Sequence, residues 1–294
     1  MADPITVAVT RGTVTESRHV VHAVAVRDGA VVAEAGDGGL VYYLRSAAKP
    51  IQALPVVRAR PDLDDREIAV ASASHVADPQ QLGAVRSLLA KAPAQEDELE
   101  CGPEGDPPER IRHNCSGKHA GFLALCRAKE WDSRGYRLAD HPCQEAMLAQ
   151  VAAAAEVDEV EIPTAVDGCG VVAFALPLER MAHAFSRFGS LDGGTRVADA
   201  MRAHPRIIRG EGAPDTVLME SLPGWIAKSG AEALLCAAAP DGTGVALKVE
   251  DGSNRAVGPA LSAFLGRLGH ELPALAEAPV TNSRGETVGA IRAS

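Results

Sequence analysis

The sequence predicts an α+β fold: an antiparallel sheet built from N- and C-terminal segments, with helices in the middle. Three observations carry this. Residues 5–44 read as consecutive strands, helical periodicity begins at Ser46, and strand character returns near Ala233. Separate runs of strands and helices point to α+β rather than to a repeating βαβ plan. The whole of residues 1–294 is read as one domain, with sheet segments at about 1–45 and 228–294.

In the N-terminal run, Val7 and Val9 alternate with smaller or polar neighbours. The stretch from Val20 to Val26 is apolar at nearly every position, as for a strand covered on both faces. Asp28-Gly29 is a hairpin signal, and Asp37-Gly38-Gly39 is a second turn before Leu40–Leu44. An antiparallel meander is the economical reading. Helices are expected over Gln80–Ala92, 117–130 and 142–157, with shorter ones at Val197–Ala203, Asp215–Leu222 and Pro259–Leu268. Residues 93–112, rich in Pro, Gly and acids, read as a surface connection. Ala233–Ala238 and Val245–Val249 flank a Pro-Asp-Gly-Thr-Gly turn as a hairpin, and Glu286–Ile291 reads as a last strand.

Hydrophobic residues make up 46% of the 294 and aromatics only 3%, so the core must be closely packed Ala, Val and Leu. A formal charge of −10 without a basic run argues against nucleic-acid and anionic-membrane partners. No apolar run has the length of a membrane span, and the first residues lack a basic region and an apolar signal core, so a cytoplasmic protein is expected. The six cysteines are scattered, and disulfides are not expected in such a compartment.

Five segments can carry chemistry. Ser46 and Lys49 lie three apart at a helix start, where a lysine can serve as base to a serine nucleophile and Pro50 fits the first turn. By itself Ser-x-x-Lys is common, usually a cap followed by a solvated lysine. Ser74 and His75 follow the apolar run Ile68–Ala71; the ordinary role of such a serine is to cap. His113-Asn114-Cys115-Ser116-Gly117-Lys118-His119-Ala120-Gly121 concentrates imidazole, thiol, amide and ammonium groups before an apolar helix, but lacks P-loop spacing. Asp167-Gly168-Cys169-Gly170 is a tight turn between apolar runs; Cys115 and Cys169 are a weak two-thiolate signal. Finally, Lys228-Ser229-Gly230 precedes the late strand. Ser-x-x-Lys early and Lys-Ser/Thr-Gly late is the order used by serine β-lactamases and penicillin-binding proteins.

Together these segments resemble the rhizobial-type L-asparaginases, the asparaginase II family. The match rests on Arg45-Ser46-Ala47-Ala48-Lys49, Ser74-His75, His113 through Phe122, Asp167-Gly168-Cys169 and Ala227-Lys228-Ser229-Gly230-Ala231-Glu232. The resemblance implies a serine β-lactamase-like fold, a homodimer, and hydrolysis of L-asparagine to L-aspartate and ammonia. It implies two Ser–Lys pairs, Ser46–Lys49 and Ser74–Lys228, and a Zn2+ held by Cys115, Lys118 and Cys169. Asp167 is an adjacent site residue. For substrate, Arg45 offers a fork to an α-carboxylate and Asp167 a partner to an α-ammonium, with His119 of the long string also assigned there. Val76-Ala77-Asp78 departs from the family, which commonly has a polar residue followed by Gly-Glu.

A useful lysine base needs a pKa of roughly 7 to 8, against about 10.4 in water. Burial and a second cation supply such a change. Two other readings share part of this pattern. A β-lactamase-like acylating hydrolase of another amide would share Ser46, Lys49 and Lys228, but its Ser-x-Asn element has no match. A non-catalytic zinc-binding regulator would account for the cysteines and not for the lysines.

Overall fold

The computed structural model describes residues 2–294. The chain opens with strands β1 (Ile5–Arg11), β2 (Val14–Arg27), β3 (Ala30–Ala35) and β4 (Val41–Tyr43). A 3-10 turn, Arg45–Ala48, leads into α1 (Lys49–Ala59), followed by α2 (Asp65–Ala71), α3 (Pro79–Lys91), α4 (Ser116–Ala128) and α5 (Pro142–Ala155). Strands β5 (Thr164–Val166) and β6 (Val172–Pro177) precede α6 (Leu178–Ser186), α7 (Gly194–Ala203), α8 (Pro205–Ile208) and α9 (Pro214–Ser221). Then come β7 (Ile226–Gly230), β8 (Leu234–Ala238), β9 (Gly244–Val249), α10 (Val257–Arg267), α11 (Pro273–Ala276), β10 (Glu277–Thr281) and β11 (Thr287–Ala293).

The α+β plan read from the sequence is found. Eight strands form one sheet in the order β10-β11-β1-β2-β9-β8-β7, with β3 also paired to β2, and the pairings are antiparallel. One expectation is corrected, and the mainly helical middle carries a short strand pair besides. The early meander ends at β3, because β4 leaves the main sheet and pairs with β6, itself paired with β5. The middle of the chain is therefore not purely helical. Both strands of the middle are short or flanked by Gly and Pro, and α6 directly follows Pro177, so periodicity over these windows is weak.

The sheet separates two apolar cores, and period-2 alternation assigns side chains to each. On β2, Val24 and Val26 join the core shared with α1 to α7, whereas Val21, Ala23 and Ala25 join the one under α10. On edge strand β7, Ile226 faces the first core and Ala227 the second. Lys228 therefore projects from the sheet edge toward the helices. Aromatic side chains are few, and close backbone approach substitutes for ring packing. A Cβ on Gly117 would stand 2.1 Å from the carbonyl oxygen of Val70, so α4 can seat against α2 only with glycine there. A Cβ on Gly230 would stand 2.6 Å from the Leu44 carbonyl oxygen, which sets β7 directly against the turn carrying Ser46.

Candidate active site

Three elements and three turns bring the site together. Arg45, at φ +49°, bends the chain out of β4 and presents Ser46 half-buried at the start of the 3-10 turn. Lys49 follows and is fully buried. Its Nζ donates to Ala73 O at 2.6 Å and to Ser74 Oγ at 2.9 Å. The hydrogen bonds thus cross the expected pairs, since Lys49 meets Ser74 rather than Ser46. The turn itself does not forbid the expected pair, since residues three apart eclipse in a 3-10 segment; the Lys49 amine is instead taken by the Ala73–Ser74 turn. Burial lowers the pKa of Lys49; nearby Cys115 opposes this and Lys118 adds to it.

Ser74 is also buried, in the turn between α2 and α3. The Ser74 N–H donates to Ile208 O, and Arg209 donates to Ser74 O at 3.1 Å. The next residues are held by α3: Asp78 caps its N-terminus in a reciprocal pair with Gln81, whose Oε1 also accepts from the Val76 N–H. His75 accepts the Ala77 N–H on Nδ1, so its Nε2–H donates to Ser116 Oγ at 2.7 Å, which in turn donates to Ile111 O. Burial and the Lys49 charge push His75 down to about 3, so this imidazole is a neutral brace between two turns.

Lys228 is fully buried and donates to Ser229 O at 2.8 Å. Burial brings its pKa down to about 7, with Lys49 and Arg209 adding to the depression and Asp215 opposing it. Ser74 is not among its hydrogen-bond partners. The amine nonetheless sits in the neighbourhood of Lys49, the residue bonded to Ser74.

At the N-terminus of α4, Cys115 precedes the first helical turn and Lys118 lies within it. Lys118 Nζ donates to Cys169 Sγ at 3.2 Å, while the neighbouring Cys115 thiol donates to Asn114 Oδ1 at 3.0 Å. The adjacent Cys115 thiol and the Lys118 charge, working against burial, bring Cys169 down to about 5. Lys118 is raised in return, because the two sulfurs outweigh its burial. The two thiols and the amine expected to share a metal are therefore mutual neighbours. Among the described residues no cluster of three His, Cys, Asp or Glu side chains has a metal-binding arrangement. All six cysteines are buried and free.

Asp167 and Arg45, read separately as substrate groups, form an ion pair of 2.6 Å. Burial pushes Asp167 up, but Lys118 and Arg45 together hold it below the usual carboxylate range. The hydrogen bond uses Arg45 Nε, leaving the two terminal nitrogens for other acceptors. His119 is buried and its Nδ1 meets Tyr136 Oη at 2.8 Å. Tyr136 Oη also accepts from the Glu100 N–H, and the His119 Nε2 is buried with no partner. Burial and Lys118 push His119 down to about 3.

Two residues near Lys228 escaped sequence reasoning. Asp215 is buried 3.7 Å from Lys228 Nζ, and Arg209 reaches Ser74. An acid in a helix first turn and an arginine before a glycine carry no sequence signal beyond ordinary helix ends. No described helix is long and apolar enough to cross a membrane.

Comparison with known proteins follows from this geometry. No curated protein matches the chain. A solved chain described as a probable glutaminase from Bacillus subtilis complexed with 6-diazo-5-oxo-L-norleucine is similar at 14% identity, over 86% of this chain and 85% of that one, with a TM-score of 0.39. The family model described as L-asparaginase II matches residues 7–293. The chain belongs to the L-asparaginase II family, a family of amidohydrolases.

Proposed function

We propose that the protein hydrolyses L-asparagine to L-aspartate and ammonia through an acyl-enzyme on Ser46. The observation that carries this reading is the contrast between the two serines. Ser46 is half-buried at the lip of the site, whereas Ser74 is buried and already accepts from Lys49. A nucleophile must be reached by substrate, and a relay need not be. Ser46 Oγ attacks the side-chain amide carbon and gives up its proton to the neutral Lys49 amine. Ser74, bonded to Lys49, passes a proton toward the leaving nitrogen, with Lys228 as the second amine of the relay. Water then releases aspartate. The free terminal nitrogens of Arg45 suit the α-carboxylate, and Asp167 suits the α-ammonium.

Zinc belongs to the same proposal. Two sulfurs and an amine within contact of one another suit a tetrahedral ion with one open position. Cys115, Cys169 and Lys118 would hold it, and Lys118, an ammonium beside the Cys169 thiolate, would have to release its proton first. When bound, zinc would supply a fixed positive charge that orients substrate. Metal analysis of the purified protein should give about one zinc per chain, lost in Cys169→Ser; background zinc in both removes this part of the proposal.

Ammonia release from asparagine tests the reaction. Ser46→Ala should abolish turnover without changing the circular dichroism spectrum. Wild-type turnover in that variant would remove Ser46 from the role, and no ammonia from the native protein would remove the substrate.

A further inference from the structure

The proposed relay leaves one buried acid without a task. Asp215 stands in the first turn of α9 and is fully buried, unlike an ordinary helix N-terminal aspartate. Its Oδ1 accepts the backbone N–H of Ser229 and lies 3.7 Å from Lys228 Nζ. Its Oδ2 is buried with no hydrogen-bond partner. A buried carboxylate with an idle oxygen is costly unless its charge is answered nearby, and the answering charge is Lys228.

We propose that Asp215 is a positioning residue of the reaction, fixing the Lys228 amine at the edge of β7 by gripping the Ser229 peptide and by supplying the opposing charge. Lys228 and Asp215 hold the same residue from two sides, one through Ser229 O and the other through Ser229 N–H. The groups facing Lys228 come from every element around it: Lys49 from α1, Arg209 after α8, Asp215 from α9, the Cys115 thiol before α4, and Cys236 opposite on β8. Of these, Asp215 is the one carboxylate set against two other cations. Without it, burial and two like charges would push the Lys228 amine further below its present range and leave it without the one charge that fixes it at the sheet edge. The depression of Lys228 only to about 7 agrees with that balance.

The inference rests on the role given to Lys228 in the proposed reaction, so its test reads Lys228 directly. Asp215→Asn keeps an oxygen for the Ser229 N–H and removes the charge. The Lys228 titration, followed by carbon-13 NMR of its Cε in the full-length protein, should fall by about one pH unit in this variant. The acid limb of asparagine hydrolysis should fall with it, and Asp215→Glu should return both toward the native position. An unmoved Lys228 midpoint in Asp215→Asn overturns the inference, even where asparagine turnover is normal. Should that variant not fold, the native protein still decides. The Ser229 amide must titrate with the midpoint of Lys228, and an amide signal indifferent to that titration overturns the inference. Failure of the native protein to hydrolyse asparagine would instead strike the proposed function and leave the NMR midpoints to judge Asp215.

Discussion

In the proposed reaction, Lys228 is the amine whose charge changes nearest neutral pH. Its amine leaves the charged form near pH 7, well below the ordinary lysine value of about 10.4, because it is buried among other cations. If the reaction needs that amine neutral, kcat/KM for asparagine must rise with pH through about 7 and level above it. A profile already flat between pH 5 and 9 would contradict this assignment. The polar residues of the site were legible because they stand in short strings of unusual composition. Their partners were not. Spacing places Ser46 and Lys49 on one face of a helix, but the Ala73–Ser74 turn, distant in sequence, takes the Lys49 amine. Asp215 was invisible for the same reason, since its burial depends on β7, which arrives in space and not in sequence.

Among the elements, the long polar string before α4 reads differently once packed. Its glycine at 117 serves contact with α2, and the adjoining Cys115 and Lys118 serve the site. Gly117→Ala should destabilise the protein by about 3 kcal/mol or leave it insoluble, because a methyl group would meet a backbone carbonyl that cannot swing away. Urea denaturation measures this, and a native midpoint would show that α4 and α2 have room to part. The turn after Ser74 offers the opposite case. Ala77 is held at φ +60°, a conformation that favours glycine, which the related family commonly has there. Ala77→Gly should stabilise by about 0.5 kcal/mol, the strain relieved exceeding the extra freedom of the unfolded chain. A loss of stability would mean that the Asp78 cap and Gln81 already absorb the strain. Long strands and capped helices were legible in the sequence; β4 was assigned to the wrong sheet because a three-residue strand carries no pairing information of its own.

For the whole molecule, the sheet divides two cores, and the site lies where its β7 edge meets the helical layer. This placement explains how residues from position 45 to position 229 share one region without a repeat or a continuous motif. Two buried imidazoles by the site, His75 and His119, are both driven to about 3 by burial and neighbouring cations and stay neutral. The β-strand alternation that sends Ile226 to the helices sends Lys228 with it, so one register supplies both core and chemistry.

The division of labour between the two serines is most directly tested by trapping the intermediate. The protein is quenched in acid while turning over asparagine, digested, and its peptides are mapped by mass spectrometry. The account predicts an aspartyl ester on the peptide containing Ser46 and none on the peptide containing Ser74. An ester on Ser74, the serine that Lys49 contacts, or steady turnover with no ester on either, would contradict it.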